Sequence, residues 1–201
     1  MHLILASASP RRAELLRSAG YTFDVVVTDV DESIRPGESP SAYVRRLAAE
    51  KSFRAGTDLG RPGAEQAPPL RNGVPIVLGA DTTVVIDGEI LGKPDDDADA
   101  RRMLQRLSGK THQVMTGVSL RQGAFEAGRV ETTSVVFRTL TDEDIAWYVA
   151  SGEGRDKAGG YAIQGLASRF IPSIAGSYSN VVGLPVACVD ELLRSLLASG
   201  L

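Results

Sequence analysis

Apolar residues along this chain fall into short runs separated by polar, glycine-rich and proline-rich turns, and the period of each run predicts an element. Leu3 to Ala6 is continuous and apolar, as expected of a short buried strand. Ser9-Pro10 then reads as a helix start, with Ser9 at the N-cap and Pro10 at the first helical position. Leu15, Leu16 and Ala19 supply its apolar face and Gly20 its stop. Tyr21 to Val27 is rich in β-branched residues and predicts a second strand, running into an acidic turn at Asp29, Asp31 and Glu32. Ser39-Pro40 repeats the cap signal. The helix that follows carries Tyr43, Val44, Leu47 and Ala48 on one side, and Lys51 falls on that same side.

Gly56 to Gly73 is polar and rich in Gly and Pro, and reads as a surface excursion. Pro75 to Ala80 predicts an apolar strand that delivers Asp81 at its end. Thr83–Ile86 and Glu89–Leu91 flank Asp87-Gly88, a two-residue hairpin signal. Ala100 to Leu107 predicts a helix with Met103, Leu104 and Leu107 inward, closed by Gly109. Val114 to Leu120 and Val130 to Phe137 predict two long strands. Thr141 with Asp144 three residues on matches a capping box for a helix through Trp147 and Tyr148. Asp156 to Ser177 is glycine-rich and interrupted, as site-forming segments are. Pro185 to Ala198 predicts a last amphipathic helix built on Val189, Leu192, Leu193, Leu196 and Leu197. The mixed order of strands and helices predicts an α/β fold with a mixed sheet, within one domain or two lobes sharing a cleft.

Composition narrows the chemistry. The chain has 201 residues, and its Lys+Arg total of 22 against 25 Asp+Glu gives a net charge of −3. A sequence-independent nucleic-acid binder draws its affinity from phosphate neutralisation and is usually basic, so duplex binding is not favoured. Any phosphate chemistry must use a few local cations. With one cysteine, Cys188, and two histidines, His2 and His112, no zinc spacing or disulfide is available. A metal here must take oxygen ligands, which points to Mg²⁺ or Mn²⁺. Cys188 sits among Val186, Ala187 and Val189 and reads as a small core residue. Met1 to Ala8 lacks the basic start and the long apolar stretch of a secretory leader, and no apolar run reaches the ~18 residues of a membrane span. These features, with the lone thiol, predict a cytoplasmic protein with no membrane partner.

Five constellations are candidates for chemistry. Ser7-Ala8-Ser9-Pro10-Arg11-Arg12 joins a strand end to a helix start, where free N–H groups and two arginines favour an anion; the alternative is a capped surface helix. Asp31 and Glu32 offer carboxylates for a metal, although an acidic turn is more often simply solvated. Asp81, beside the small Gly79 and Ala80, can hold metal or take a proton from water; the plainer reading is a turn cap. Lys51, on an apolar helix side, needs a partner or a ligand, and Lys93 sits in a tight Gly-Lys-Pro turn; for both, the plainer reading is a surface lysine whose stem lies along apolar surface with its charge in water. Asp95-Asp96-Asp97 reads as a solvated helix start. In Tyr161-Ala162-Ile163-Gln164-Gly165, the Gln164 amide suits a pyrimidine edge, or braces a loop.

Together these stretches resemble the Maf family of nucleotide pyrophosphatases. LASASPRRAELL, the Asp31-Glu32 turn, Lys51 in RRLAAEKS, LGADTTVVIDGEILGKP, LSGKTHQVMTGVSL, FRTLTDEDIAWYVASGE, KAGGYAIQG and GSYSNVVGLP follow in order over nearly the whole chain. The resemblance implies an elongated α/β fold with flanking helices and a central cleft, similar to inosine triphosphate pyrophosphatases. It implies hydrolysis of a nucleoside triphosphate to the monophosphate and pyrophosphate with a divalent metal, and suggests a homodimer. Ser7, Arg11, Arg12, Glu32, Lys51, Asp81, Lys93 and Gln164 match the family's functional positions, Asp81 that of its general base. Arg11, Thr82 and Gln164 match the specificity positions of the branch similar to dTTP/UTP pyrophosphatases. The sister branch, which prefers 7-methyl-GTP, lacks the Asp-Thr and Ile-Gln-Gly pattern. Two alternatives stay open at this point: a non-enzymatic regulator of septum formation, which the family's name suggests, and, within the enzymes, removal of modified pyrimidine nucleotides. The Gly56–Gly73 excursion is the main departure from the pattern.

Overall fold

A computed structural model describes residues 2–58 and 73–198. Its elements are β1 (Leu3–Ala6), α1 (Pro10–Ser18), β2 (Phe23–Val25), α2 (Pro40–Asp58), β3 (Ile76–Ile86), β4 (Glu89–Leu91), α3 (Asp97–Leu107), β5 (Thr111–Gln122), β6 (Phe125–Val136), α4 (Asp142–Ser151), β7 (Ser173–Ala175), α5 (Tyr178–Val182) and α6 (Val186–Ala198), with 3₁₀ turns at Ala158–Gly160 and Leu166–Phe170. The strands lie in the order β2-β1-β3-β5-β6-β7, with β4 on β3. β1 pairs parallel with β2 and β3, while β3–β4 and β6–β7 are antiparallel, so the expected mixed α/β sheet is present.

Several predicted boundaries move. β3 is one strand from Ile76 to Ile86, so Asp81 lies in its middle rather than after its end. Every residue of β3 but Thr82 is buried, and a strand covered on both faces reads as a continuous apolar run in which a lone Asp need not end pairing. The Asp87-Gly88 hairpin is as expected, with φ of 53° and 80° at the two turn residues. β2 is shorter than expected, and β5 and β6 are longer, reaching to either side of Gly123 at φ 58°. α3 starts at Asp97 because Asp96 caps it, accepting from the Asp99 N–H at 2.7 Å. α2 continues through Gly56 to Asp58, so the predicted excursion begins later; residues 59–72 lie outside the described residues. Ala19 and Leu197, placed on apolar faces by spacing, are exposed.

The chain divides into two compact units, each with its own core. The first comprises the chain through Asp81, Thr116–Glu131 and the stretch from Gly183 onward. Leu3 and Leu5 of β1, Ile76, Leu78 and Ala80 of β3, Ala13 and Leu16 of α1, and Val189, Leu192, Leu193 and Leu196 of α6 form its main core, with Cys188 buried among them as expected. The alternate residues, Ile4, Ala6 and Val77, face Ala55 of α2. At nine residues, α1 is too short to persist alone, so burial of Ala13 and Leu16 keeps it in place. Full burial of a side chain like Leu16 contributes about 1.5–3 kcal/mol.

The second unit comprises Thr82–Met115 and Thr132–Val182. Its core gathers Val84, Ile86, Leu104, Leu107, Val135, Phe137, Ile145, Tyr148, Tyr161 and Phe170. The predicted capping box opens α4: Thr141 Oγ1 accepts from Asp144 N–H at 3.1 Å, and the Asp144 carboxylate accepts from Thr141 N–H at 3.0 Å.

Candidate active site

In the first unit, five of the candidate residues come together around α1, α2 and β3. β1 ends at Ala6, and Ser7 and Ser9 lead into α1 with Pro10 at its first turn. Ser9 occupies the N-cap position, but its side chain caps nothing. Ser7 does the local work instead: its Oγ accepts from the Ser9 N–H at 3.2 Å and from Arg12 Nη1 at 3.2 Å. The helix start therefore keeps N–H groups that no Ser9 side chain engages, the arrangement that favours an anion.

Arg12 is 9% exposed. Its Nε donates to the Gly183 carbonyl at 2.8 Å and its Nη1 to the Ala80 carbonyl at 2.8 Å. Burial lowers its pKa, and the neighbouring Arg11 adds to that, while Asp81 and Glu32 oppose it. The guanidinium is thus a fixed cation tying α1 to β3 and to the segment before α6. Arg11, half-buried beside it, adds a second positive charge to the first turn.

Lys51 is the hinge of the cluster. Its Nζ donates to Asp81 Oδ1 at 2.7 Å and to Glu32 Oε1 at 2.7 Å. The Lys51 and Asp81 side chains are 11% and 10% exposed, and that of Glu32 is 47% exposed. The sequence expectation that a lysine on an apolar helix side needs a partner is met by two carboxylates. Alternation along β3 accounts for the meeting: Val77, Gly79 and Asp81 share the face that α2 covers, while Ile76, Leu78 and Ala80 face the main core. The same alternation places Thr82 on the opposite face of the strand from Asp81.

Glu32 lies on irregular chain after β2, and it is fixed by Tyr43, read from the sequence only as part of an apolar helix side, and by Arg46 and Glu38, which the sequence does not single out. The Tyr43 hydroxyl donates to the Glu32 carbonyl at 3.0 Å. Arg46 donates to the carbonyls on either side, Asp31 at 3.4 Å and Ser33 at 3.0 Å. Arg46 in turn is gripped by Glu38 through contacts of 2.6 and 2.8 Å, which hold the Glu38 carboxyl down at about 2. Burial and the charges of Asp81 and Glu32 push the Tyr43 hydroxyl up to about 12, so it stays a donor at neutral pH. Arg46 Nη1 also donates to Glu50 Oε2 at 3.4 Å, and the spacing of Tyr43, Arg46 and Glu50 is a helical stripe, the one signal for this brace that the sequence carries. A second brace, the pair Ser52–Ser119 at 2.8 Å, continues to Glu126 and bidentate Arg45 and pins α2 just past Lys51.

Lys93, Thr82 and Gln164 belong to the second unit. Thr82 follows Asp81 on β3, Lys93 lies in the turn after β4, and Gln164 is exposed in the loop between the two 3₁₀ turns. Asp95 to Asp97 form the start of α3, as expected, with Asp96 as its cap.

Among the described residues, no three His, Cys, Asp or Glu side chains gather as a ready metal site. Glu32 and Asp81, held together by Lys51, offer two hard oxygen donors from separate segments. That set fits a cation such as Mg²⁺, which characteristically takes one or two carboxylates and completes its shell with water and substrate phosphate.

The Maf-like protein family model matches residues 2–196. A protein of Shewanella oneidensis named dTTP/UTP pyrophosphatase is 51% identical over 198 residues, covering 96% of this chain and 97% of its own. Proteins of the same name from Escherichia coli O157:H7 and Symbiobacterium thermophilum are each 52% identical, covering 96% and 95% of this chain and 92% of their own. The solved Ham1 protein of Staphylococcus aureus is 15% identical over 68% of this chain and 72% of that one, with a TM-score of 0.38, and adds nothing to what the sheet itself establishes. No helix among the described residues is long and apolar enough to cross a membrane.

Proposed function

This chain belongs to the Maf family, and we propose that it is a nucleoside triphosphate pyrophosphatase hydrolysing dTTP and UTP to the monophosphate and pyrophosphate. The observation that carries the reading is Lys51 joined to both Glu32 and Asp81, beside buried Arg12 at an open helix start. Such a cluster gives a carboxylate for proton transfer, fixed cations for phosphate oxygens and two metal-competent oxygens. A binding module has no need of that combination.

The triphosphate lies across the Ser7–Arg12 helix start, where N–H groups and Arg12 meet its charge. Lys51 neutralises further phosphate oxygens, and Lys93, in the second unit, matches another functional position of the family. Asp81 takes a proton from a water molecule whose oxygen bonds to the α-phosphorus. The bond from the α-phosphorus to the bridging oxygen breaks, and pyrophosphate leaves with that oxygen's electron pair. Most of the acceleration comes from positioning and charge stabilisation. Glu32 and Asp81 would hold a divalent cation, Mg²⁺ or Mn²⁺, which would supply further neutralisation of phosphate charge. In the second unit, Thr82 and Gln164 select the base, bonding the O4/N3 edge of uracil or thymine. A site built on such polar pairs rejects bases that leave them unmatched. The buried single thiol fits a reducing cytoplasm, where these nucleotides are.

The test is pyrophosphate release from UTP, dTTP, CTP, GTP and 7-methyl-GTP with Mg²⁺, Mn²⁺ or chelator. Metal-dependent cleavage favouring UTP and dTTP supports the reading. A preference for 7-methyl-GTP overturns the base selection, and folded protein that turns over none of them overturns the chemistry.

A further inference from the structure

Gln164 sits on an exposed loop, yet a base reader must hold its amide in one place to tell a uracil edge from a cytosine edge. The backbone on both sides of it is tied to a single pair of side chains. Tyr148 of α4 is 1% exposed, and its hydroxyl accepts the Ala162 N–H at 3.0 Å, two residues before Gln164. That hydroxyl donates to Glu153 Oε2 at 2.8 Å. Glu153 Oε1 accepts the Leu166 N–H at 2.9 Å, two residues after Gln164, and Oε2 lies 3.4 Å from the Ala167 N–H.

Glu153 is itself placed by the end of α4. Gly152 closes that helix at φ 70°, and Ser151 Oγ, donating to the Tyr148 carbonyl at 2.6 Å, accepts the Glu153 N–H at 3.2 Å. The loop also has to leave space for the carboxylate. A Cβ at Gly165 would overlap Glu153 Oε1 and sit 2.8 Å from Oε2, so only glycine lets the carboxylate reach the Leu166 N–H. Before the loop, the Tyr161 hydroxyl is bonded to His112 Nε2 at 2.8 Å in the core.

We propose that Glu153 and Tyr148 are positioning residues for base selection, clamping the backbone before and after Gln164 so that its amide meets the pyrimidine edge in one orientation. The proposal rests on the reading of Gln164 as a base reader. A carboxylate is needed because it presents two acceptor oxygens to two N–H groups and a phenol at once, and an amide presents one. Tyr148 is suited to the other half because burial and the Glu153 bond raise its pKa, keeping the phenol protonated.

The experiment measures kcat/KM for UTP and for CTP in wild type, Gln164→Ala, Glu153→Gln, Tyr148→Phe and Gly165→Ala. The UTP-to-CTP ratio does not depend on how much of a preparation is folded, so a merely structural defect leaves it unmoved. Gln164→Ala is expected to collapse the ratio. Glu153→Gln is expected to lower it on the order of 10-fold, through KM for UTP more than kcat. Gly165→Ala, which displaces the carboxylate without changing it, is expected to reproduce that drop. An unchanged ratio in Glu153→Gln and Gly165→Ala, with the ratio collapsed in Gln164→Ala, overturns the clamp alone. An unchanged ratio in Gln164→Ala overturns the base-reading role and the clamp with it.

Discussion

Gly79 on β3 lies directly against the carbonyl oxygen of Ala48 on α2: a Cβ at Gly79 would overlap that oxygen and sit 2.7 Å from the Ser52 backbone nitrogen. Gly117 on β5 repeats the contact, its Cβ position overlapping the Val44 carbonyl. Two missing side chains therefore bring α2 down onto the sheet and put Lys51 within 2.7 Å of Asp81. Gly79→Ala must push backbone rather than a side-chain tip. It is expected to destabilise the protein by about 1–3 kcal/mol in urea unfolding and to lower turnover by separating Lys51 from Asp81. Normal turnover in that variant would show that the close approach does not set the catalytic geometry.

Arg46 holds the carbonyls on both sides of Glu32 while Glu38 holds Arg46. Arg46→Met is expected to reduce kcat on the order of 10-fold at saturating UTP, because Glu32 loses its fixed backbone. Arg46→Lys, which cannot span both carbonyls and the Glu38 carboxylate, is expected to recover little. Steady-state kinetics at fixed metal concentration checks this, and full activity in Arg46→Met would remove the brace from the account.

Thr141 provides a control away from the site. Thr141→Ala breaks a capping box whose two bonds are 3.1 and 3.0 Å. A loss of about 1 kcal/mol in chemical denaturation is expected, with kcat unchanged.

His112 is buried against Phe137 and Tyr161, and burial pushes its pKa down from 6.5 to about 4. As pH falls from 6.5 towards 4, the unfolded chain takes up a proton at this residue before the folded one does. Stability should therefore fall across that window, by at most about 3 kcal/mol, and not change further from this group below it. Urea midpoints of wild type and His112→Asn against pH check the sign. The wild-type curve should drop relative to the variant between pH 6.5 and 4, and parallel curves would contradict it.

What was legible in the sequence were the features whose physics is local. Pro10, the Thr141–Asp144 box and the Asp87-Gly88 turn fix ends and reversals through neighbouring bonds, and all three stand in the structure. Lys51 was conspicuous because a cation on an apolar stripe demands a partner. The identity of that partner was hidden, since Glu32 and Asp81 lie 19 and 30 positions away and meet it through tertiary packing. Beyond its helical spacing, Arg46 carries no mark in the sequence, because nothing local identifies the carbonyls of Asp31 and Ser33 as its targets. β7 and α5, at three and five residues, are too short for periodicity to reveal. Asp81 was placed at a strand end because an acidic residue usually ends a buried run, whereas here Lys51 satisfies its carboxylate within the strand.

The most direct test of the central claim is pyrophosphate release from UTP by wild type and by Asp81→Asn, at equal concentrations of folded protein with saturating substrate and metal. Asn keeps the shape and loses the proton acceptor. The account predicts that Asp81→Asn turns over UTP at least ~10²-fold more slowly. Turnover within a few fold of wild type would contradict it and take from Asp81 the role of base.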